Sequence, residues 1–282
     1  MIKYIVVLLF SVGLSAQGSL VFDTPFETSV DIDGTIDAWQ SISTNDATIT
    51  IDGTSRVGTG YLKLTSAGGA LRSELTRQYT GVANTYFIDW NTEYWVGYPI
   101  RINTAVQGYG ILTQFRPYGD NGSNAYTLQN NTGNKLSFLL ATNDAIVNDT
   151  PDTAATWGAE RYDADYVIGQ WHDIVMHFNL STTTSGYWEV WVDGIKVVDE
   201  HNTVSTYAKH INGIDKDPRN YMKIGAYYGS GTGADIDFDS FKIWEGAGGS
   251  YEDVSPLGLS PSGTPVPNNG KGHAKRKLII MN

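Results

Sequence analysis

Cysteine is absent from this 282-residue chain. That excludes disulfides, thiolate metal centres and cysteine nucleophiles. Cations are scarce as well: 19 lysines and arginines stand against 30 aspartates and glutamates, for a formal net charge of −11. A phosphate binder needs a broad basic surface, so nucleic acid is ruled out as the main partner. An anionic substrate is still allowed, because a few cations gathered in a cleft attract a polyanion against the global sign. Apolar runs long enough to cross a bilayer are missing, and so are runs of Ala, Glu, Lys and Leu at helical spacing. A membrane span and a helical bundle both drop out.

What remains is rich in Gly, Tyr, Trp and Thr. Tyr61–Leu64, Tyr94–Ile102, Tyr109–Arg116, Lys135–Leu140, Trp171–Leu180, Tyr187–Val192, Tyr221–Tyr227 and Ile236–Ile243 read as strands. Asp193-Gly194 between Trp188–Val192 and Ile195–Val198 predicts a type I′ hairpin. The pattern predicts an all-β fold, a β-jelly roll built as a concanavalin-like sandwich of two antiparallel sheets. At the N-terminus, Lys3 precedes an apolar stretch, Ile5–Leu14, and the small residues Ser15-Ala16. Residues 1–16 therefore read as a signal peptide, too short in its apolar part to span, and the protein is expected to be secreted or periplasmic. Residues 18–247 read as one domain and the protein as a monomer. Residues 248–282 read as a Gly/Ser/Pro-rich linker and a basic tail around Lys271–Lys277 without structure.

Three segments place polar residues at period 2, so each set shares one strand face. Arg72 and Glu74 point one way, with Leu71, Ser73 and Leu75 pointing the other. Gln114 and Arg116 share a face and Phe115 is inward. Tyr221, Lys223, Gly225 and Tyr227 alternate with inward Met222, Ile224 and Ala226. Such side chains on otherwise apolar strands suit the floor of a groove, where Gly225 leaves room for a ligand to approach.

These segments resemble the three signature strands of jelly-roll polysaccharide lyases, the group of alginate, glucuronan and heparin-lyase-like enzymes. Gly169–Val175 and Gly186–Gly194 are similar to the scaffold of the glucuronan and heparin-type branch, and the resemblance covers Leu71 to Trp244. It implies β-elimination on an acidic, uronate-containing polysaccharide, with glucuronan-type polymers favoured over alginate and no cofactor needed for the chemistry. Arg72 and Gln114 would hold the uronate carboxylate and steady the charge that develops there. Tyr227 matches the family's catalytic tyrosine. Lys223 would bind substrate or tune Tyr227, Glu74 would orient Arg72, and Tyr221 and Arg116 would line the groove. Relatives usually carry histidine two residues after the glutamine, where this chain has Arg116. The base is then either Tyr227, with its pKa lowered by Arg116, or His177 on the face of Trp171, Asp173 and Val175.

Two rival functions stay open. Asp235, Asp237 and Asp239 alternate as in laminarinase-type glycoside hydrolases, although shorter than the glutamates used there. Alternatively, Asp239 binds a structural Ca²⁺, or these acids are simply solvated. A non-catalytic carbohydrate-binding sandwich would keep the groove without turnover. His172 reads as a structural histidine, and His201 shows no zinc-ligand spacing.

Overall fold

The computed structural model describes residues 17–27, 39–44, 47–66, 71–76, 88–104, 109–117, 124–141, 159–206, 219–228 and 233–261. The expected signal peptide, 1–16, and the end of the tail, 262–282, lie outside them. The strands are β1 (Ser19–Thr24), β2 (Gln40–Thr44), β3 (Ala47–Gly53), β4 (Gly60–Ser66), β5 (Leu71–Thr76), β6 (Ile88–Asp89), β7 (Glu93–Ile102), β8 (Tyr109–Pro117) and β9 (Tyr126–Asn131). They continue with β10 (Lys135–Ala141), β11 (Ala159–Asp165), β12 (Trp171–Asn179), β13 (Gly186–Val192), β14 (Ile195–Thr203), β15 (Arg219–Tyr228), β16 (Asp235–Phe238) and β17 (Phe241–Glu245), before the short helix α1 (Tyr251–Val254). The first sheet runs β14-β13-β12-β7-β16-β4-β3, with β17 against β7 and β1 against β17. The second runs β11-β10-β9-β8-β15-β5-β2, with β6 against β15. This is the antiparallel sandwich that the alternation predicts.

Period 2 decides what lies between the sheets. Ile174, Met176 and Phe178 of β12 face inward, as do Leu136, Phe138 and Leu140 of β10. The sheets meet through aromatic rings: Phe115 lies 5.3 Å from Phe178 and Tyr126 5.9 Å from Trp188, centroid to centroid. The Tyr98 and Tyr126 hydroxyls, 3.3 Å apart, give the polar tips of two buried tyrosines a partner inside this core. The hairpin between β13 and β14 turns at Asp193 (φ 52°) and Gly194 (φ 78°), both left-handed as a type I′ turn requires.

The stretch Ile236–Ile243 is not one strand. Phe238 pairs with Ile100 and Lys242 with Gly97, so one extra residue is taken up between β16 and β17. The interruption falls beside Pro99, which has no N–H to give the ladder, and Ser240 turns through φ 38°.

The folded region also runs past residue 247. Ser250 donates from its backbone and its hydroxyl to Asp253 Oδ2, at 2.9 and 2.8 Å, at the start of α1. Tyr251 and Val254 then pack on Val175 and Trp191, on the face of the first sheet turned away from the core. Gly97 lets the helix come this close: a Cβ there would lie 2.0 Å from the Val254 carbonyl oxygen.

Further along this outer face, Trp191 stacks on Trp95 at 5.8 Å and Trp95 on His177 at 3.9 Å. Glu189 receives His177 Nδ1 at 2.6 Å and Lys196 Nζ at 2.5 Å. Burial pushes the Glu189 carboxyl up, but these two partners outweigh it and hold it at about 2, against an ordinary 4.5. A depressed carboxyl stabilises the folded state above its unfolded pKa and loses that contribution as pH falls through the folded one. Glu189→Gln is therefore expected to lower stability by roughly 1–3 kcal/mol at neutral pH. Wild type and variant should converge between pH 4.5 and 2. Denaturant unfolding at several pH values checks this, and a constant gap across the range would contradict it.

Candidate active site

The three signature segments become neighbouring strands of the second sheet, in the order β8, β15, β5. Met222, Ile224 and Ala226 point into the core with Leu75 and Phe115, as the alternation predicts. The opposite, outer face carries the polar set. Tyr221 pairs with Arg116, Lys223 with Gln114 on one side and Thr76 on the other, Gly225 with Glu74, and Tyr227 with Arg72 and Ile111. The side chain of Arg72 lies outside the described residues, so its place is known by register alone.

Glu74 and Gln114 sit on the two strands flanking β15, and their side chains meet across it. Gln114 Nε2 donates to Glu74 Oε1 at 2.5 Å. Gly225, opposite Glu74, has no side chain to obstruct that path. Its φ of 146° suits glycine, and the strand bulges here: Ile224 pairs with Thr113 but Tyr227 with Ile111. Glu74 Oε2 faces Lys223 Nζ at 3.8 Å, and the two side chains are only 2% and 4% exposed. Lys223 Nζ also lies 5.4 Å from the centre of the Tyr221 ring. On the far side of Gln114, Asn124 Nδ2 donates to Gln114 Oε1 at 3.0 Å and to Thr127 Oγ1 at 3.1 Å. A chain of buried polar groups thus runs from Lys223 to Thr127, each charge met by an opposite charge or a donor, as burial demands. Tyr227, by contrast, is 45% exposed.

Several expectations change. Glu74 contacts Gln114 and Lys223, so it orients the glutamine; the expected contact between Glu74 and the Arg72 side chain lies outside the described residues. Lys223 is buried against Glu74 and balances that charge. The room over Gly225 is crossed by this chain's own Glu74–Gln114 bond, not kept for a ligand. Arg116 opposes Tyr221, six residues from Tyr227 and about 20 Å away along an extended strand. The cation opposite Tyr227 is Arg72. Gln114 and Tyr227 also fall in different rows, about 13 Å apart along β15, with Glu74 in the row between.

His177 is on the other sheet. Its neighbours Met176 and Phe178 enter the core, so the imidazole points to the far side of the sandwich. There it is held by Glu189, Glu93 at 3.1 Å and the Tyr187 hydroxyl at 2.9 Å. It cannot act as a base beside Tyr227. His172 is structural, as expected: Nδ1 meets Asp193 at 2.7 Å and Nε2 accepts the Val167 N–H at 2.9 Å.

The alternating aspartates serve the scaffold. Asp237 accepts from Arg101 Nε and from Asn103, both at 2.7 Å, and Asp235 from Asn103 at 3.0 Å. Asp239 Oδ2 accepts the backbone N–H groups of Arg56 and Val57, both at 2.8 Å, while its buried Oδ1 has no hydrogen-bond partner among the described residues. Burial above all pushes the Asp239 carboxyl up to about 6, with the charge of Glu27 adding to it. Elsewhere, Glu189, Asp199 and His201 bring ligand atoms within 4.8 Å of one another. The Lys196 ammonium sits between the two acids, 2.5 Å from Glu189 and 3.1 Å from Asp199, where a metal would have to be.

Sequence reading missed Asn124 and Thr127. A signal for Thr127 was present, since Thr127, Gln129 and Asn131 alternate along β9. Asn124, in the turn before that strand, carries no such signal. Among the described residues no helix is long and apolar enough to cross a membrane.

Residues 32–242 match the family model described as polysaccharide lyase. Among solved structures, the chain is similar to the endo-β-1,4-glucuronan lyase of the fungus Trichoderma reesei, with a TM-score of 0.59 at 19% identity, covering 84% of this chain and 99% of that one. It is also similar to the cellulose-induced protein Cip1, at 0.49 and 16% over 79% and 96% of the two chains. For the alginate lyase AlgAT5 of polysaccharide lyase family 7 the values are 0.47 and 11% over 81% and 94%. No curated protein matches. At these identities the structural likeness speaks to the fold, whereas the family model spans well over half of the sequence. With its signature strands side by side on one sheet face, the chain belongs to the polysaccharide lyase family.

Proposed function

We propose that this enzyme cleaves a uronate-containing polysaccharide by β-elimination on the outer face of the second sheet, with Tyr227 moving the proton. The observation that carries this is the contrast between β15 and its neighbour β5: Tyr227 stands exposed opposite Arg72, while Lys223 and Glu74 are buried beneath the same face. Arg72 pairs with the uronate carboxylate and lowers the cost of charge moving onto it. Gln114, about 13 Å along the same face, adds a donor for a further carboxylate of the bound polymer. Tyr227, as phenolate, takes the C5 proton. The C5–H electrons become the C4–C5 double bond, the C4–O4 bond breaks, and the new phenol returns its proton to O4. Glucuronan-type polymers are the favoured substrate, because the scaffold strands resemble that branch and the glucuronan lyase shares the fold.

Incubation with glucuronan, alginate and glycosaminoglycans tests this. A rise in ultraviolet absorbance from the conjugated double bond supports elimination. New reducing ends without that absorbance would mean hydrolysis. Binding with neither signal would mean a carbohydrate-binding sandwich. Export by way of residues 1–16 belongs to the same reading, since such polymers lie outside the cell.

Asp239 is assigned a structural calcium ion. Its Oδ1, without a hydrogen-bond partner among the described residues, and the nearby Glu27 carboxylate offer the oxygen ligands that this ion prefers, and the ion would offset two neighbouring charges. After chelation, Ca²⁺ at a hundredfold excess over its Kd should raise the unfolding midpoint by roughly 5–10 °C. The response should vanish in Asp239→Asn. An unchanged wild-type midpoint would remove the ion from the account.

A further inference from the structure

We propose that Asn124 is a positioning residue for elimination, fixing the amide of Gln114 so that one N–H of that glutamine is aimed at the substrate. The proposal rests on the lyase reading above and adds a residue that reading does not use. A glutamine amide has two nearly isosteric ends, and only its contacts decide which end points where. Here both ends are specified. Asn124 Nδ2 is a donor and meets Gln114 Oε1 at 3.0 Å; Glu74 Oε1 is an acceptor and meets Gln114 Nε2. Turning the Gln114 amide over would put N–H against N–H at one end and oxygen against oxygen at the other.

Asn124 is itself held. The same Nδ2 donates to Thr127 Oγ1 at 3.1 Å, and the residue is buried at the mouth of β9. Its Oδ1 has no hydrogen-bond partner among the described residues. The donor end of Asn124 is thus committed to Gln114 and Thr127, while its acceptor end does no comparable work. Gln114 Nε2 carries two hydrogens and Glu74 engages one. The second is the donor left for a uronate carboxylate; Glu74 fixes which end is the donor, and Asn124, by holding the other end, fixes the plane of the amide and so the direction of that N–H.

The test is a double-mutant cycle in the full chain, on whichever uronate polymer gives the double-bond product. Asn124→Asp keeps the shape but offers Gln114 Oε1 an oxygen in place of an N–H. In the wild-type background this change is expected to lower kcat by about 10²-fold, the scale for losing one preorganised donor, with KM moving far less. In the Gln114→Ala background the same change should cost less than about threefold, because there is no amide left to misdirect. Asn124→Ala should follow the same pattern, which separates loss of the donor from the introduced charge. Rates are taken per folded protein, from the circular-dichroism melting curve of each variant.

An equal loss in both backgrounds would overturn the proposal and leave Asn124 a structural residue. A wild-type chain that yields no unsaturated product from any of these polymers overturns the lyase reading, and the proposal with it. The two failures are distinguishable, because the first requires an active wild type.

Discussion

Tyr227→Phe is expected to abolish most of the double-bond product, lowering kcat by about 10²–10⁴-fold, while the melting curve stays where it was. The ring is 45% exposed, so removing one hydroxyl leaves the core untouched. Exposed substitutions of this kind usually change stability by no more than about 0.5 kcal/mol. KM should move little, because the hydroxyl acts in proton transfer and not in holding the polymer. Arg72, opposite Tyr227 in the ladder, is the cation to test beside it, whereas Arg116 is too far along the strand to matter to this proton. Steady-state kinetics on the two variants Tyr227→Phe and Arg116→Ala decide the point. Near wild-type turnover in Tyr227→Phe would end the tyrosine scheme.

Glu74→Ala is expected to damage both the fold and the site. Its carboxylate is 2% exposed and lies between the Lys223 ammonium and the Gln114 amide. Removing it leaves Lys223 buried without this counter-charge, a change that costs about 3–5 kcal/mol. The loss should be partly recovered by removing both charges at once, as in Glu74→Gln with Lys223→Met. Urea unfolding of the three proteins checks this. A Glu74→Ala protein within about 0.5 kcal/mol of wild type would show that the pair contributes little.

How legible all this is in the sequence depends on how local each cause is. The inward set Met222, Ile224 and Ala226 follows from period 2 alone, and the Asp193-Gly194 turn follows from two residues whose backbone preference is strong. Other features have causes elsewhere in the chain. The break at Asp239 and Ser240 is tied to Pro99 on a neighbouring strand, about 140 residues away in sequence, whose missing N–H interrupts the ladder. The edge strand β11 and the second half of β14 are rich in charge, as exposed edges are, and so resemble loops. Helix α1 has only four residues, follows a glycine-rich stretch, and is secured by packing on Trp191 and Val175 rather than by helical pattern.

The site divides in the same way. The family motifs pick out Arg72, Gln114, Lys223 and Tyr227, but not which of them touch. That depends on register and on a bulge at Gly225, which let Glu74 meet Gln114 across the strand between them. His177 shows the converse problem. Period 2 says which residues share its face, yet only the sheet order shows that this face is on the far side of the sandwich.

Mass spectrometry of the fragments released from a defined uronate oligomer tests the central chemical claim most directly. If the polymer is cut by elimination, the fragments together weigh the same as the parent, and one of each pair carries a C4–C5 double bond. Fragments that together exceed the parent by one water, with saturated ends, would show that the bond is hydrolysed instead.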